Sequence, residues 1–303
     1  MAQALTSEER ETGGPEVAPA KVKRTGFFRS LMRSKTGFAG FLIFTGITLT
    51  CLIGPLFIPD RLPTDLDRIY APPSLAHPFG FDNEGRDVFL QVIAGGWDII
   101  VIGLLAAGIS TVIAVTMGAL AAYVGGRLDS IVVTAADIVL AVPGIVLLAV
   151  LAAFVQLDSE WLLAVLLGLL GWPGLLRAVR AQVFSLKERE YIEAARLLDL
   201  GTPHIVVREI LPNMASYILM NFVIGMTGAI YGVVGLYLLG LAPMSGGNWG
   251  IMLNKAWVAG AMFNEASLWW VMGPVLAITV LQLALVMMTR SFEEILNPRL
   301  RHN

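Results

Sequence analysis

The sequence predicts an all-α, polytopic membrane protein with six transmembrane helices. Three observations point there. Hydrophobic residues make up 56% of the 303-residue chain and charged residues 15%, where a soluble domain carries about 25% charge. Six long apolar stretches follow Lys35. One charged insert, Leu186 to Met214, separates the fourth stretch from the fifth.

A helix rises about 1.5 Å per residue, so roughly 20 residues cross about 30 Å of hydrocarbon. Residues 36–59 are uncharged and form the first expected span, and residues 99–126 form the second. Residues 130–157 make the third, interrupted only by Asp137. Residues 161–176 make the fourth, with Trp161 suited to one interface and Arg177 to snorkelling at the other. The uncharged run 210–254 holds one span, at about 214–239. Pro243 and glycines at 240, 246, 247 and 250 suit a turn or re-entrant loop after it. Residues 266–289 form the last span. Gly103, Ala107, Gly108, Gly118 and Ala122 around the second span permit close helix packing.

Charge sets the expected orientation. With a cytoplasmic N-terminus, the inner segments collect 17 Lys or Arg and the outer ones only Arg61, Arg68, Arg86 and Lys255, the positive-inside pattern. Both termini are then expected in the cytoplasm of a multi-pass protein of the cell (inner) membrane. Residues 1–29 are polar and read as a disordered cytoplasmic tail, with no cleavable signal peptide. Residues 30–95 read as an anchor helix plus an external segment, and 96–303 as the core, with paired helices at about 188–211. Cys51 is the single cysteine, which excludes an intrachain disulfide and a cysteine metal cluster. His77, His204 and His302 are far apart in sequence and suggest no metal site. A net charge of −2 gives no sign of nucleic-acid binding.

The external segment contains "HPFGFDNEGRDVFLQVIAGG", His77 to Gly96. His77-Pro78 and Gly80 mark turns. Asp82 or Asn83 is expected to cap an amphipathic helix from Glu84 toward Ile93, with Val88, Val92 and Phe89 or Ile93 facing the membrane. Gly85, Arg86 and Asp87 complete a charged cluster that lacks the twelve-residue calcium-loop pattern. Its expected role is structural or partner docking.

The insert reads as two short helices at the membrane face. Glu188 to Leu200 is the first, with Tyr191, Ala194, Ala195 and Leu198 sharing a face and Glu193 and Arg196 on a more polar side. Ala194 and Ala195 let another surface approach closely. Gly201 is expected to stop the helix at the left-handed cap position. Thr202 is the expected N-cap of the second helix, with Pro203 at its first position. That helix runs to about Leu211, and Pro212 introduces a break.

This insert resembles the cytoplasmic loop shared by permease subunits of bacterial and archaeal ABC importers. Glu193, Ala194 and Ala195 match the Glu-Ala-Ala triplet, Gly201 the later glycine, and Ile210, Leu211 and Pro212 the closing Ile-Leu-Pro. "HPFGFDNEGRDVF" resembles the segment between the first two spans of dipeptide, oligopeptide and nickel importer permeases, in their C-type member. Residues 121–143 and the ending "LNPRLR" at 296–301 look like the same group, so the resemblance covers nearly everything after residue 29. Two runs depart from it. "GLYLLGLAP" at 235–243 replaces a Ser-Phe-Leu-Gly-Leu-Gly type run, and "TRSFEEILNPRLR" from Thr289 replaces a Gly-Asp-Gly-Leu-Arg type run.

The resemblance implies the type I ABC importer permease fold and a role as one half of a translocation path for di- or oligopeptides. The alternative cargo is nickel or another small solute. The chain has no Gly-rich loop ending in Gly-Lys-Ser/Thr. It is therefore expected to be no enzyme and to bind no cofactor, with ATP and Mg on two cytoplasmic ATPase subunits that receive the 188–212 loop. A second homologous permease, an external substrate-binding protein and the lipid bilayer are the other implied partners. A stand-alone channel or secondary carrier is the reading from a different class. It would use a polar group at mid-membrane, for which Asp137 is the one candidate carboxylate, read here as a helix-packing residue.

Overall fold

The computed structural model describes residues 34–59, 62–155 and 159–296. The expected tail at 1–29, Arg61 and most of the 296–301 ending lie outside the described residues.

Among the described residues, nine α-helices longer than one turn carry the architecture: α1 (Lys35–Ile53), α2 (Val88–Val124), α3 (Gly126–Ala141), α4 (Gly144–Val155), α5 (Glu160–Leu186), α6 (Glu190–Leu197), α7 (Ala215–Leu238), α8 (Trp249–Val258) and α9 (Leu268–Leu296). Among the described residues there is no strand, only an isolated bridge between Phe81 and Asp87. Polar caps fix several starts. Ser34 accepts from Gly37 N, Ser159 from Leu162 N, and Asn248 from Gly250 N and Ile251 N.

Five helical stretches of the described residues are long and apolar enough to cross a membrane, and six if the bent pair α3–α4 makes one span. The third expected span is therefore not continuous. Val142 is extended (φ −98°, ψ 131°) and α3 and α4 meet at 85°. Pro143 is the cause, because it disfavours helical backbone at the residue before it. The segment after α7 is also more ordered than a loop. Gly240 (φ +71°) closes α7, and α8 follows with Trp249 fully buried.

α2 is the central element, packing most extensively on α5 and then on α7. At 37 residues it is about 55 Å long and outruns the hydrocarbon. Lipid tails are as apolar as leucine, so close fit holds such a bundle together. A Cβ at Gly103 would meet Ile230 Cγ1 at 2.7 Å, and one at Gly168 would meet Ile109 Cβ at 2.7 Å. Ser110 adds a buried bond by donating to the Gly168 carbonyl at 2.8 Å. Tyr237, Trp249, Trp270 and Phe292 are among the bundle's largest fully buried side chains.

Candidate functional site

Two irregular segments sit at opposite ends of α2. At its C-terminal end, α6 docks through Ile192 and Ala195, which pack with Ile205, Val206, Ile210 and Met214 against Val115, Ala119 and Ala122 of α2 and Val179 and Val183 of α5. The expected shared face of Tyr191, Ala194, Ala195 and Leu198 is therefore split, because Ile192 and Ala195 turn inward to the packed cluster. Tyr191, Ala194 and Leu198 are exposed, while Ala195 is enclosed within the chain. Glu193 is also exposed, and Leu197 and Leu198 stand 84% and 73% accessible.

The expected turn chemistry also differs. Gly201 has φ −60° and caps the next helical run, so it does not use left-handed freedom. Asp199 does, at φ 54°. Thr202 and Pro203 fall inside a single helical turn, Thr202–His204, which continues as a π-helix over Ile205–Ile210 and a 3₁₀ turn over Leu211–Met214 before α7. Pro212 sits in the first turn of that 3₁₀ piece, where its missing N–H breaks little. It tightens the run without ending it.

Polar contacts tie this end together. The Arg196 guanidinium lies 5.3 Å over the Tyr123 ring, and Lys187 lies 4.2 Å over Phe184. Asn213 Nδ2 donates to the Glu209 carbonyl at 2.5 Å. A shallow cavity of about 720 Å³ is lined by Leu186, Glu188, Arg189, Glu190, Tyr191 and Asn213. Burial raises the Tyr191 phenol above its ordinary value, while Arg189 opposes and Glu209 reinforces the shift. The phenol therefore stays a neutral donor at physiological pH.

At the N-terminal end of α2, residues 62–87 fold around Asp82, whose side chain is fully buried. Its Oδ1 accepts from Glu84 N at 2.8 Å and Arg86 N at 2.9 Å, and its Oδ2 from Arg86 Nε and Gln91 Nε2 at 2.9 Å. Gly80 (φ +63°) and Gly85 (φ +68°) leave no room for a Cβ, which would strike the Ala71 and Asp65 carbonyl oxygens. Asp87, not Asp82 or Asn83, caps α2 by accepting from Phe89 N at 2.7 Å and Leu90 N at 3.2 Å. The helix begins at Val88 instead of Glu84 because Glu84 is held in the Asp82 loop. His77 Nδ1 lies 2.5 Å from Asp87 Oδ2, and Pro78 is exposed beside it. Val88 is buried in the core, against the expectation that it faces lipid.

Sequence reasoning did not find two ion pairs that join α3 to α5. Arg180 Nε and Nη2 donate to the two Asp129 oxygens at 2.6 Å each, and Arg177 donates to Asp137. Spacing carried a signal. Asp129 and Asp137 lie eight residues apart and Arg177 and Arg180 three apart, each pair on one helix face. Arg177, expected at the end of the fourth span, is paired across to α3, and α5 runs on beyond it to Leu186. Among the described residues no group of His, Cys, Asp and Glu forms a metal-binding cluster.

A broken-helix bundle with a docked helix pair at one end is the architecture of a multi-pass transport permease. Residues 114–302 match the family described as binding-protein-dependent transport system inner membrane component, and the chain belongs to that family. It is similar to a putative peptide permease protein of Brucella ovis, 32% identical over 74% of this chain and 75% of the relative. Over 90% of this chain and 85% of the relative it is 30% identical to the dipeptide transport system permease protein DppC of Bacillus subtilis. The oligopeptide permease OppC of the same organism is 33% identical over 75% and 74%.

Proposed function

We propose that this chain is one of two membrane subunits of an ATP-driven importer whose cargo is a di- or oligopeptide. Its termini face the cytoplasm, and the 188–212 segment is where the ATPase subunits push. The observation that carries this reading is the surface of α6. Glu193, Ala194, Leu197 and Leu198 are presented outward while Ile192 and Ala195 anchor the helix to α2 and α5. Leucines left this accessible at the tip of a membrane bundle fit a partner surface. A load on them reaches the spanning helices through packed side chains.

In this reading Glu193 pairs or hydrogen-bonds at the ATPase groove, Ala194 allows close approach, and Ala195 with Ile210, Leu211 and Pro212 forms the socket. Gly201 starts the second short helix. The folded segment with His77, Pro78, Gly80, Asp82, Asn83, Gly85, Arg86 and Asp87 serves structure or docking on the external side, facing a substrate-binding protein. ATP and Mg bind to the partner subunits, and this chain supplies no cofactor site. Closure of the ATPase pair shifts the permease pair between two packings. Peptide cargo follows the names of the relatives.

Reconstitution tests this. The chain with a second permease, ATPase subunits and binding protein is expected to take up radiolabelled peptide only with ATP. The chain alone is expected to hydrolyse none. Uptake of nickel or sugar in place of peptide removes the cargo assignment, and ATP turnover by the isolated chain removes the division of labour.

A further inference from the structure

The two ion pairs between α3 and α5 are built differently. Arg180 engages Asp129 with both ends of its fork, lies 4.6 Å over the Phe184 ring, and is 32% exposed against 15% for Asp129. That pair is saturated and shielded. Arg177 makes one bond to Asp137, and the two side chains are 52% and 51% exposed. A guanidinium has five N–H donors, so most of those on Arg177 are left over.

Depth makes this exposure informative. The uncharged run of α5, residues 161–176, ends directly before Arg177, which lies about 13 Å along the axis from the middle of that run. That is at the edge of a hydrocarbon layer of about 30 Å. An arginine there can reach the interface by snorkelling, but the half-exposed Asp137 beside it is short and favours a face turned to water or protein. The rest of the strip agrees. Gly174 and Ala181 on α5, and Ser130 and Thr134 on α3, are exposed on the same faces as Arg177 and Asp137. Toward the α3–α4 bend the strip opens into an apolar cavity of about 400 Å³, lined by Val139, Pro143, Leu170, Gly171 and Gly228 among others.

We propose that this strip lines the cargo path and that Arg177 is a subsite for the terminal carboxylate of a transported peptide, with Asp137 as its positioning residue. The inference deepens the peptide-importer reading and rests on it. Asp137 holds one corner of the guanidinium and aims the remaining donors along the path. The carboxylate takes those donors in the bidentate geometry that arginine favours. Peptide side chains enter the apolar cavity. A partly solvated, singly bonded arginine binds weakly enough to release its cargo.

The test uses the complete complex in proteoliposomes with saturating binding protein. Uptake of trialanine is compared with uptake of its C-terminal amide. Arg177→Gln is expected to lower the acid-to-amide ratio about tenfold, the scale of one lost charge-assisted bond. Arg177→Lys is expected to restore most of the ratio. Arg180→Gln is expected to change both uptakes alike and leave the ratio where it was. An unchanged ratio in Arg177→Gln, with peptide still imported, overturns the subsite alone. Failure of the wild-type complex to import either peptide overturns the importer reading and the subsite with it. Thr134→Cys leaves both ion pairs intact and covers the case in which Arg177→Gln does not assemble. The native Cys51 is buried, so a water-soluble thiol reagent is expected to label position 134, and trialanine to slow that labelling at least threefold. Absence of labelling, or labelling that trialanine does not slow, places the strip away from the path.

Discussion

At one end of α2, Asp82 accepts four hydrogen bonds from Glu84, Arg86 and Gln91 with its side chain out of water. At the other, Ile192 and Ala195 sit among aliphatic side chains and the polar contacts lie around the rim. The first segment is held by directional bonds and two left-handed glycines. The second is held by packing, through a run that changes from α to π to 3₁₀ within thirteen residues, Thr202 to Met214. Directional bonds fix both distance and angle, whereas apolar packing is non-directional and constrains orientation less. In the importer reading proposed above, the difference suits a stationary platform on the outer side and a moving joint on the inner one.

The largest expected effect breaks the platform. Asp82→Ala leaves Gln91 and most of the Arg86 fork without their acceptor, and removal of one partner of a buried pair costs about 3–5 kcal/mol. A lower thermal midpoint in detergent and faster proteolysis between residues 62 and 87 are the readouts. A midpoint equal to the wild type's would mean that apolar contacts, not the Asp82 hub, hold this end.

Next comes the socket of the joint. Ile192→Ala removes a fully buried side chain and is expected to cost about 2–4 kcal/mol. Ala195→Trp overpacks the same cluster for roughly 1–3 kcal/mol. Both are expected to lower stability of the isolated chain in detergent, before any partner is added. If Ala195→Trp unfolds like wild type and fails only in the assembled complex, then Ala195 meets the partner directly and the socket assignment is wrong.

The outward leucines sharpen the comparison from the other side. Leu197→Ser with Leu198→Ser is expected to shift the chain's own stability by no more than about 0.5 kcal/mol per site. Reconstituted uptake is expected to fall about tenfold, the equivalent of ~1.4 kcal/mol at an interface. Uptake at the wild-type rate, with matched abundance, would leave α6 as an interfacial linker.

Much of this was legible in the sequence, and the misses share a cause. Apolar run length located the helices, since a spanning helix satisfies its backbone internally whatever its neighbours do. It did not show the 85° bend at Pro143, because an apolar run reads the same on both sides of a proline. The motif residues at 193–195 and 210–212 marked the joint, but not which of them face inward. Ile192 and Ala195 became the buried pair only through contact with α2 and α5, which lie far away in the chain. Asp82 or Asn83 reads as a cap in the sequence because Asx side chains commonly cap helices. The actual partners of Asp82, Arg86 and Gln91, require the loop to fold back on itself. The Asp137–Arg177 pair spans 40 residues and has no local signature beyond two carboxylates and two arginines that each share a helix face.

The smallest expected effect concerns the turn between α6 and the next helical run, where the sequence placed left-handed backbone at Gly201 and the structure places it at Asp199. A Cβ at Gly201 would meet nothing nearer than Pro203 Cδ at 3.8 Å, and φ −60° suits any residue. Gly201→Ala is therefore expected to stay within about 0.5 kcal/mol of wild type, since alanine caps less well but costs less chain entropy. Asp199→Gly relieves a left-handed conformation that disfavours a side chain, and is expected to gain roughly 0.5 kcal/mol after the added entropy of the unfolded glycine. Gly85→Ala serves as the control at the platform, because its Cβ would strike the Asp65 backbone at φ +68°, and it is expected to cost more than about 1 kcal/mol. Thermal midpoints of the three variants in one detergent decide the matter. If Gly201→Ala proves the most destabilising, the turn uses left-handed backbone at 201, and the joint turns where the sequence first placed it.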